Sequence, residues 1–214
     1  GLIAALATQH GKEHVIAPAF EAITGLCVRV PAGIDTDALG TFTGEVPRPG
    51  TMREAARMKA RLGMQATGLP FGIASEGSFG PHPVMPFMAI ARELMIFVDD
   101  MHGIEVVEQA ASEVTNFAAL ELGPDADVEG FLKRVGFPRH AVVLRSGETV
   151  IKGIDSHERL KMLLLNARSA GRLETDMRAH VNPTRMAEIG KLAVKLATRM
   201  ATTCPACAAP GFGV

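Results

Sequence analysis

Three short apolar runs, LIAALAT at 2–8, LCVRV at 26–30 and LPFGIAS at 69–75, are separated by stretches patterned as helices, and this rhythm limits the folds open to the chain. Apolar runs without polar alternation suit strands buried on both faces, as in a parallel sheet. Between the first two lies a helix over 12–24, interrupted in its first turns by Pro18. Before the third lies TMREAARMKARLGMQAT at 51–67, with Thr51 as N-cap and Glu54 at the capping-box position. Strand, helix, strand, helix, strand is the βαβ order of an α/β domain. Residues 31–50, rich in Gly, Pro, Asp and Thr, read as a long loop, and loops of that length usually carry function or are disordered.

Further along, ELMIFVDD (93–100) and GIEVVEQAAS (103–112) read as a hairpin turning around Met101–Gly103. A helix is expected at 125–135, a second hairpin from AVVLR (141–145) and TVIKGI (149–154), a helix at 156–170, a strand at GRLETD (171–176) and a final helix from Pro183 to about Met200. The expected fold is α/β: a mixed, mostly parallel central sheet with flanking helices. Residues 1–182 would form this domain, and 183–214 a helix with a cysteine-bearing tail.

Net charge is −1 over 214 residues, so no basic field points to nucleic acid or an anionic membrane. The chain has no Trp and no Tyr, which removes the usual stacking platforms for bases. No apolar run reaches spanning length, and the opening GLIAALATQHGKE lacks the basic lead and cleavage site of a signal peptide. Three cysteines do not make a disulfide framework, and a reducing, cytoplasmic setting is expected. The start at Gly1 suggests a trimmed beginning.

Several polar clusters interrupt this frame. Thr8, Gln9 and His10 close the first strand, and Lys12 opens the helix after Gly11. Helix starts attract anions and a lysine adds a mobile cation; the alternative is a polar turn with a surface lysine. In GTFTGEVPRPGTMREAARMKA (40–60), Glu45, Arg48, Arg53, Arg57 and Lys59 crowd one loop and helix, or simply form a solvated face. In IASEGSFGPHP (73–83) an acid, Glu76, follows a strand and meets Ser75, Gly77, Ser78 and Gly80. A carboxylate at the carboxyl end of a strand is placed for a Mg²⁺–phosphate site; the alternative is a turn with a satisfied loop histidine at His82. Asp99–Asp100 read as a hairpin turn. In LETDMRAHVNPTRM (173–186), Glu174, Asp176, Arg178, His180, Asn182 and Arg185 form either a polar site or a cap of internal ion pairs.

The tail TTCPACAAPGFGV (202–214) holds Cys204 and Cys207 in a C-P-x-C pattern, half of a tetrahedral zinc site. Cys27 reads as core. The expectation is that the other half lies beyond the chain's end.

The order T-Q-H-G-K at 8–12, then GEVPRPGTMREAARMKARLGMQATGLPFGIASEGSFG at 44–80, resembles the two signatures of the inosine/xanthosine triphosphatase family over roughly the first 80 residues. The resemblance implies an inosine triphosphatase-like fold and Mg²⁺-dependent hydrolysis of nucleoside triphosphates or related phosphate compounds. Lys12 would touch the triphosphate, Glu76 bind Mg²⁺ or orient water, Lys59 lie near the phosphates and Glu45 add a metal ligand. Gln9 stands where that family has Asn, and one acid stands where its pyrophosphatase branch has a pair. Arg178-Ala-His180 echoes a late base-binding motif. Such enzymes dimerise, so a homodimer is expected. GTFTGE, ASEGSFGPHP, ETDMRAHVNPTRM and CPAC also resemble the motifs of a bacterial family of unknown function, the domain 6671 type, in which a second C-x-x-C follows. The rival reading is a non-catalytic nucleotide- or partner-binding protein with a structural zinc ribbon.

Overall fold

The computed structural model describes residues 1–34, 50–166 and 171–213. Among these the order is β1 (Ile3–Leu6), α1 (Glu13–Thr24), β2 (Cys27–Arg29), α2 (Met52–Thr67), β3 (Phe71–Pro81), β4 (Ala89–Asp99), β5 (Ile104–Ser112), β6 (Ala119–Leu122), α3 (Val128–Val135), β7 (Val142–Ser146), β8 (Thr149–Ile154), α4 (His157–Asn166), β9 (Gly171–Thr175) and α5 (Pro183–Ala201). No helix among the described residues is long and apolar enough to cross a membrane. Contacts gather the chain into two compact units that do not follow chain order: Gly1–Ser78, Arg92–Ala111 and Met186–Val214 form one, Phe79–Ala91 and Ser112–Arg185 the other. The sequence expectation of 1–182 and 183–214 follows chain order, whereas the contacts join the last helix to the first strands.

The first unit is built on a sheet of order β2-β1-β3-β4-β5. β1 pairs in parallel with β2 (Ile3↔Cys27) and with β3 (Ala5↔Gly72). The connections at 82–88 and 100–103 are too short for a crossover, so β3–β4 and β4–β5 are antiparallel. The sheet is therefore mixed, but parallel pairing is confined to β1 and its two neighbours. The crossover from β1 to β2 and the return from β2 past β1 to β3 run in opposite directions across the sheet, and right-handed connections then place α1 and α2 on opposite faces.

α2 forms as its sequence demands: the Thr51 hydroxyl accepts from the Glu54 N–H and the Glu54 carboxylate from the Thr51 N–H. Its Ala56, Ala60 and Met64 pack on Ala74, Leu94, Ile96 and Val98. Gly72 is required there, because a Cβ would lie 2.6 Å from the Met64 side chain and 2.9 Å from the Ala60 carbonyl. On the opposite face Ile16, Ala19 and Phe20 of α1 are buried. α5 lies against α1, with the Gly190 Cα facing Val15. Cys27, expected in the core, is exposed, because β2 is a three-residue edge strand.

The second unit holds a fully antiparallel sheet of order β6-β9-β7-β8. Phe131, Leu132 and Val135 of α3 and Leu160 of α4 pack with Val142, Leu144, Ile154 and Leu173.

Candidate functional site

Pairing of β1 with β3 ends at Leu6↔Ile73, where the Ala7 N–H donates to the Ile73 carbonyl at 3.3 Å. β3 runs on, so Ser75 and Glu76 lie beyond the last β1 partner. The chain leaving β1 turns through Thr8, Gln9 and His10; the His10 N–H donates to Thr8 Oγ1 at 3.3 Å. Gly11, at φ 67°, supplies the left-handed residue that turns the chain into α1. Lys12 follows, and instead of pointing to water its Nζ donates to Ser75 Oγ at 3.0 Å and to the Ser75 carbonyl at 3.4 Å. From α2, Lys59 Nζ stands 2.5 Å from Glu76 Oε1. Lys12 and Lys59 are each 9% exposed, Ser75 4% and Glu76 7%.

Two lysines thus meet consecutive residues of one strand from opposite sides. Ala74 and Glu76 share the α2 face, and Ser75 points to the α1 face, as the two-residue period of a strand requires. Removing an ammonium group from water costs several kcal/mol unless partners compensate. Two such groups at the carboxyl end of adjoining parallel strands therefore mark a place built around charge. Glu93 of β4, 3% exposed, alternates with Leu94 and Ile96 and so shares the α1 face with Ser75. Sequence reasoning missed it, although an acid inside AIARELMIF is a visible interruption.

The expectation that Glu76 follows the strand, with a turn over the glycines as the alternative, is corrected: Glu76 lies within β3. Gly77 and Ser78 continue the strand, which stays extended to Pro81. The glycines read as a turn signal, but a neighbouring strand holds the segment extended. His82, by contrast, is the satisfied loop histidine: its Nδ1 accepts from the N–H groups of Val84 and Met85, each at 3.2 Å. Asp99 is a turn residue, accepting from Met101 and His102. Asp100 pairs with Arg61, and Arg57 with Glu105, so the arginines of α2 are tied across to the acids of the 99–105 turn and strand. Glu45 and Arg48 lie outside the described residues.

Arg178, His180 and Arg185 belong to the second unit. There Asp176, 1% exposed, accepts from the Arg178 guanidinium at 2.6 Å and from the N–H groups of Arg178 and Gly153, each at 3.0 Å. Burial pushes its carboxyl up, but the Arg178 and backbone bonds together hold it below the ordinary value of 3.8. Asn182 is fully buried; its amide donates to Asn116 Oδ1 at 3.0 Å and to the Asp176 carbonyl at 3.1 Å, and its Oδ1 accepts from the Arg185 N–H. Arg185 donates to the Met177 carbonyl and stacks over Phe79 at 4.9 Å. These partners make the segment a closed brace at the start of α5. His180 is exposed.

Cys204 and Cys207 sit in a tight hairpin after α5, closed by Cys204 N–H to the Ala209 carbonyl and Ala208 N–H to the Cys204 carbonyl, each at 2.8 Å. The backbone N–H groups of Ala206 and Cys207, and the Cys207 thiol, hold the Cys204 thiol below its ordinary value.

Among the described residues no three His, Cys, Asp or Glu side chains cluster as a protein-only metal cage. For Mg²⁺, which the triphosphatase resemblance implies, the donor at the 75–76 position is the single carboxylate of Glu76. One carboxylate together with substrate phosphates is a set that Mg²⁺ accepts.

A family profile described as a domain of unknown function (DUF6671) matches residues 59–214. That span includes Lys59, Ser75, Glu76, the brace and the cysteine hairpin, and begins after Lys12. No curated protein and no solved structure matches the chain.

Proposed function

The chain belongs to the DUF6671 family, a domain of unknown function, and we propose from its own residues that it takes a phosphate-bearing small molecule, a nucleoside triphosphate or related compound, and hydrolyses it with Mg²⁺. The observation that carries this reading is the convergence of buried Lys12 and Lys59 on Ser75 and Glu76 where β3 outruns β1. Phosphoryl transfer asks mainly for fixed positive charge and positioning. Lys12, at the head of α1, would neutralise phosphate oxygens, with the turn Thr8–His10 and the hydroxyls of Ser75 and Ser78 donating to them. Lys59 would exchange its bond to Glu76 for one to phosphate, and Glu76 would then hold Mg²⁺ or orient water. The bound ion would supply charge neutralisation on the phosphates. Glu45 as a further metal ligand and Arg178 with His180 as base contacts rest on the resemblance alone, Arg48 and Arg185 as contacts rest on their polar segments, and a cytoplasmic homodimer is the expected state.

A second reading, a non-catalytic binding protein, is favoured by one observation: Glu76 is already neutralised by Lys59 at 2.5 Å. The experiment is release of phosphate and pyrophosphate from a panel of ordinary and deaminated nucleoside triphosphates, with Mg²⁺ or EDTA. Mg²⁺-dependent turnover lost in Lys12→Ala and Glu76→Gln is the expected result. Nucleotide binding without turnover in the folded protein supports the second reading, and neither binding nor turnover removes both.

A further inference from the structure

β3 and β4 are matched arms of one hairpin, 11 residues each. At one end the Asp100 N–H donates to the Pro70 carbonyl at 3.0 Å, and at the other the His82 N–H donates to the Met88 carbonyl at 2.7 Å. Both bonds fit one unbroken register, which sets Ala74 opposite Ile96, Glu76 opposite Leu94 and Gly77 opposite Glu93. Packing agrees, since Ala74, Leu94 and Ile96 all lie against α2. The alternate residues, Ser75, Gly77, Glu93 and Met95, therefore face α1. Phe71 and Phe97 share that face as a diagonal pair, and their rings stack at 5.9 Å. Ser75 and Glu93 stand in the same diagonal relation further along the hairpin, and such neighbours are within reach of a long side chain.

Ser75 is the residue that Lys12 holds. The Ile73 carbonyl points toward β1 and accepts from the Ala7 N–H at 3.3 Å. The Ser75 carbonyl points the same way, past the end of β1, and Lys12 Nζ takes it at 3.4 Å. Lys12 Nζ thus marks the crevice beside β3 where β1 stops, at the point where the connections on either side of β1 diverge. Next along the same face comes Gly77, with Glu93 opposite it. A side chain at 77 would stand between Glu93 and this crevice, and glycine puts none there. Glu93 is 3% exposed. A carboxylate so far out of water needs positive charge nearby, and Lys12 is a cation on its side of the sheet.

We infer that Glu93 is the α1-side carboxylate of this site and a ligand for the Mg²⁺ that accompanies a phosphate group held by Lys12. The inference rests on the phosphate reading above and adds a residue to it. Mg²⁺ is commonly held by one or two carboxylates together with substrate phosphate oxygens. Glu76 reaches the crevice from the α2 side, where Lys59 stands 2.5 Å away. Glu93 serves the side on which Lys12 stands, so that lysine and ion neutralise neighbouring phosphate oxygens.

The test is calorimetric titration of the full chain with inorganic triphosphate, without and with Mg²⁺, in the parent, Glu93→Gln and Glu93→Asp, with circular dichroism as the check of folding. Mg²⁺ should strengthen binding in the parent. Without Mg²⁺, Glu93→Gln should bind no more weakly than the parent, because it has lost a negative charge. With Mg²⁺ it should bind at least about 10-fold more weakly. Glu93→Asp keeps the charge but shortens the reach, and should lose part of the Mg²⁺ gain. A merely structural role would lower both affinities together, and that result overturns the assignment. The parental Mg²⁺ gain in either folded variant also overturns it, while leaving triphosphate binding in place. No triphosphate binding by the parent removes the phosphate reading itself, and the role of Glu93 with it.

Discussion

Two polar-rich stretches, 73–83 and 173–186, look alike as sequence and differ as structure. In the second unit, Asp176, Asn182 and Arg185 direct most of their hydrogen bonds to backbone groups, the N–H groups of Gly153 and Arg178 and the carbonyls of Asp176 and Met177, with the side chains of Asn116 and Arg178 as further partners. In the first unit, Ser75 and Glu76 are met by lysine side chains from 63 and 17 residues away, one from each face of a sheet. Backbone-directed polar groups fix a chain path. Charged side chains gathered from separate elements at a strand's carboxyl end create a field that a ligand can use. Polar density alone does not separate the two cases; the identity of the partners does.

The comparison breaks first at Asp176. Asp176→Ala should lower stability by about 2–3 kcal/mol, because two partly buried N–H groups lose their acceptor and the half-buried Arg178 guanidinium loses its carboxylate. Denaturant unfolding measures this, and phosphate binding in the first unit should be retained under native conditions. Its carboxyl is held below the ordinary value of 3.8, so its stabilisation is complete above that value and is lost as pH falls through the lower folded value. Asp176→Asn should abolish that acid-side loss. An unchanged acid limb would show that the brace contributes nothing through this charge.

The Lys59–Glu76 pair sharpens the contrast. Lys59→Met alone should cost about 3 kcal/mol by leaving Glu76 buried beside an apolar group. Adding Glu76→Leu should bring stability back to within about 1 kcal/mol of the parent, since apolar pairs replace buried ion pairs without penalty. Ligand binding should not return with it. A double variant that is stable and still binds phosphate would make the pair a packing device like the brace.

Much of the first unit was legible. The apolar runs at 2–8, 26–30 and 69–75 became β1, β2 and β3, and Thr51 with Glu54 made the capping box of α2, because burial and capping act locally. The hairpins at 93–112 and 141–154 were also legible. The sorting of strands into two sheets was not, because pairing of β9 between β6 and β7 is a contact between distant segments. β6, four residues at a sheet edge, had too short a pattern to read. Lys12, Ser75 and Glu76 were legible as polar residues near the ends of expected elements and Lys59 as a cation within the expected helix, but not that the sheet divides them into two facing pairs. Glu93 was hidden inside an apolar strand, where only the tertiary face gives it meaning.

The measurement that bears most directly on the central claim is the affinity for inorganic triphosphate, by calorimetric titration with and without Mg²⁺, of the parent chain beside Lys12→Ala and Arg178→Ala. The account predicts Mg²⁺-enhanced binding that falls by at least about 10-fold in Lys12→Ala, with Arg178→Ala separating a ligand contact from a brace residue. Equal triphosphate affinity in the parent and a folded Lys12→Ala protein would contradict it.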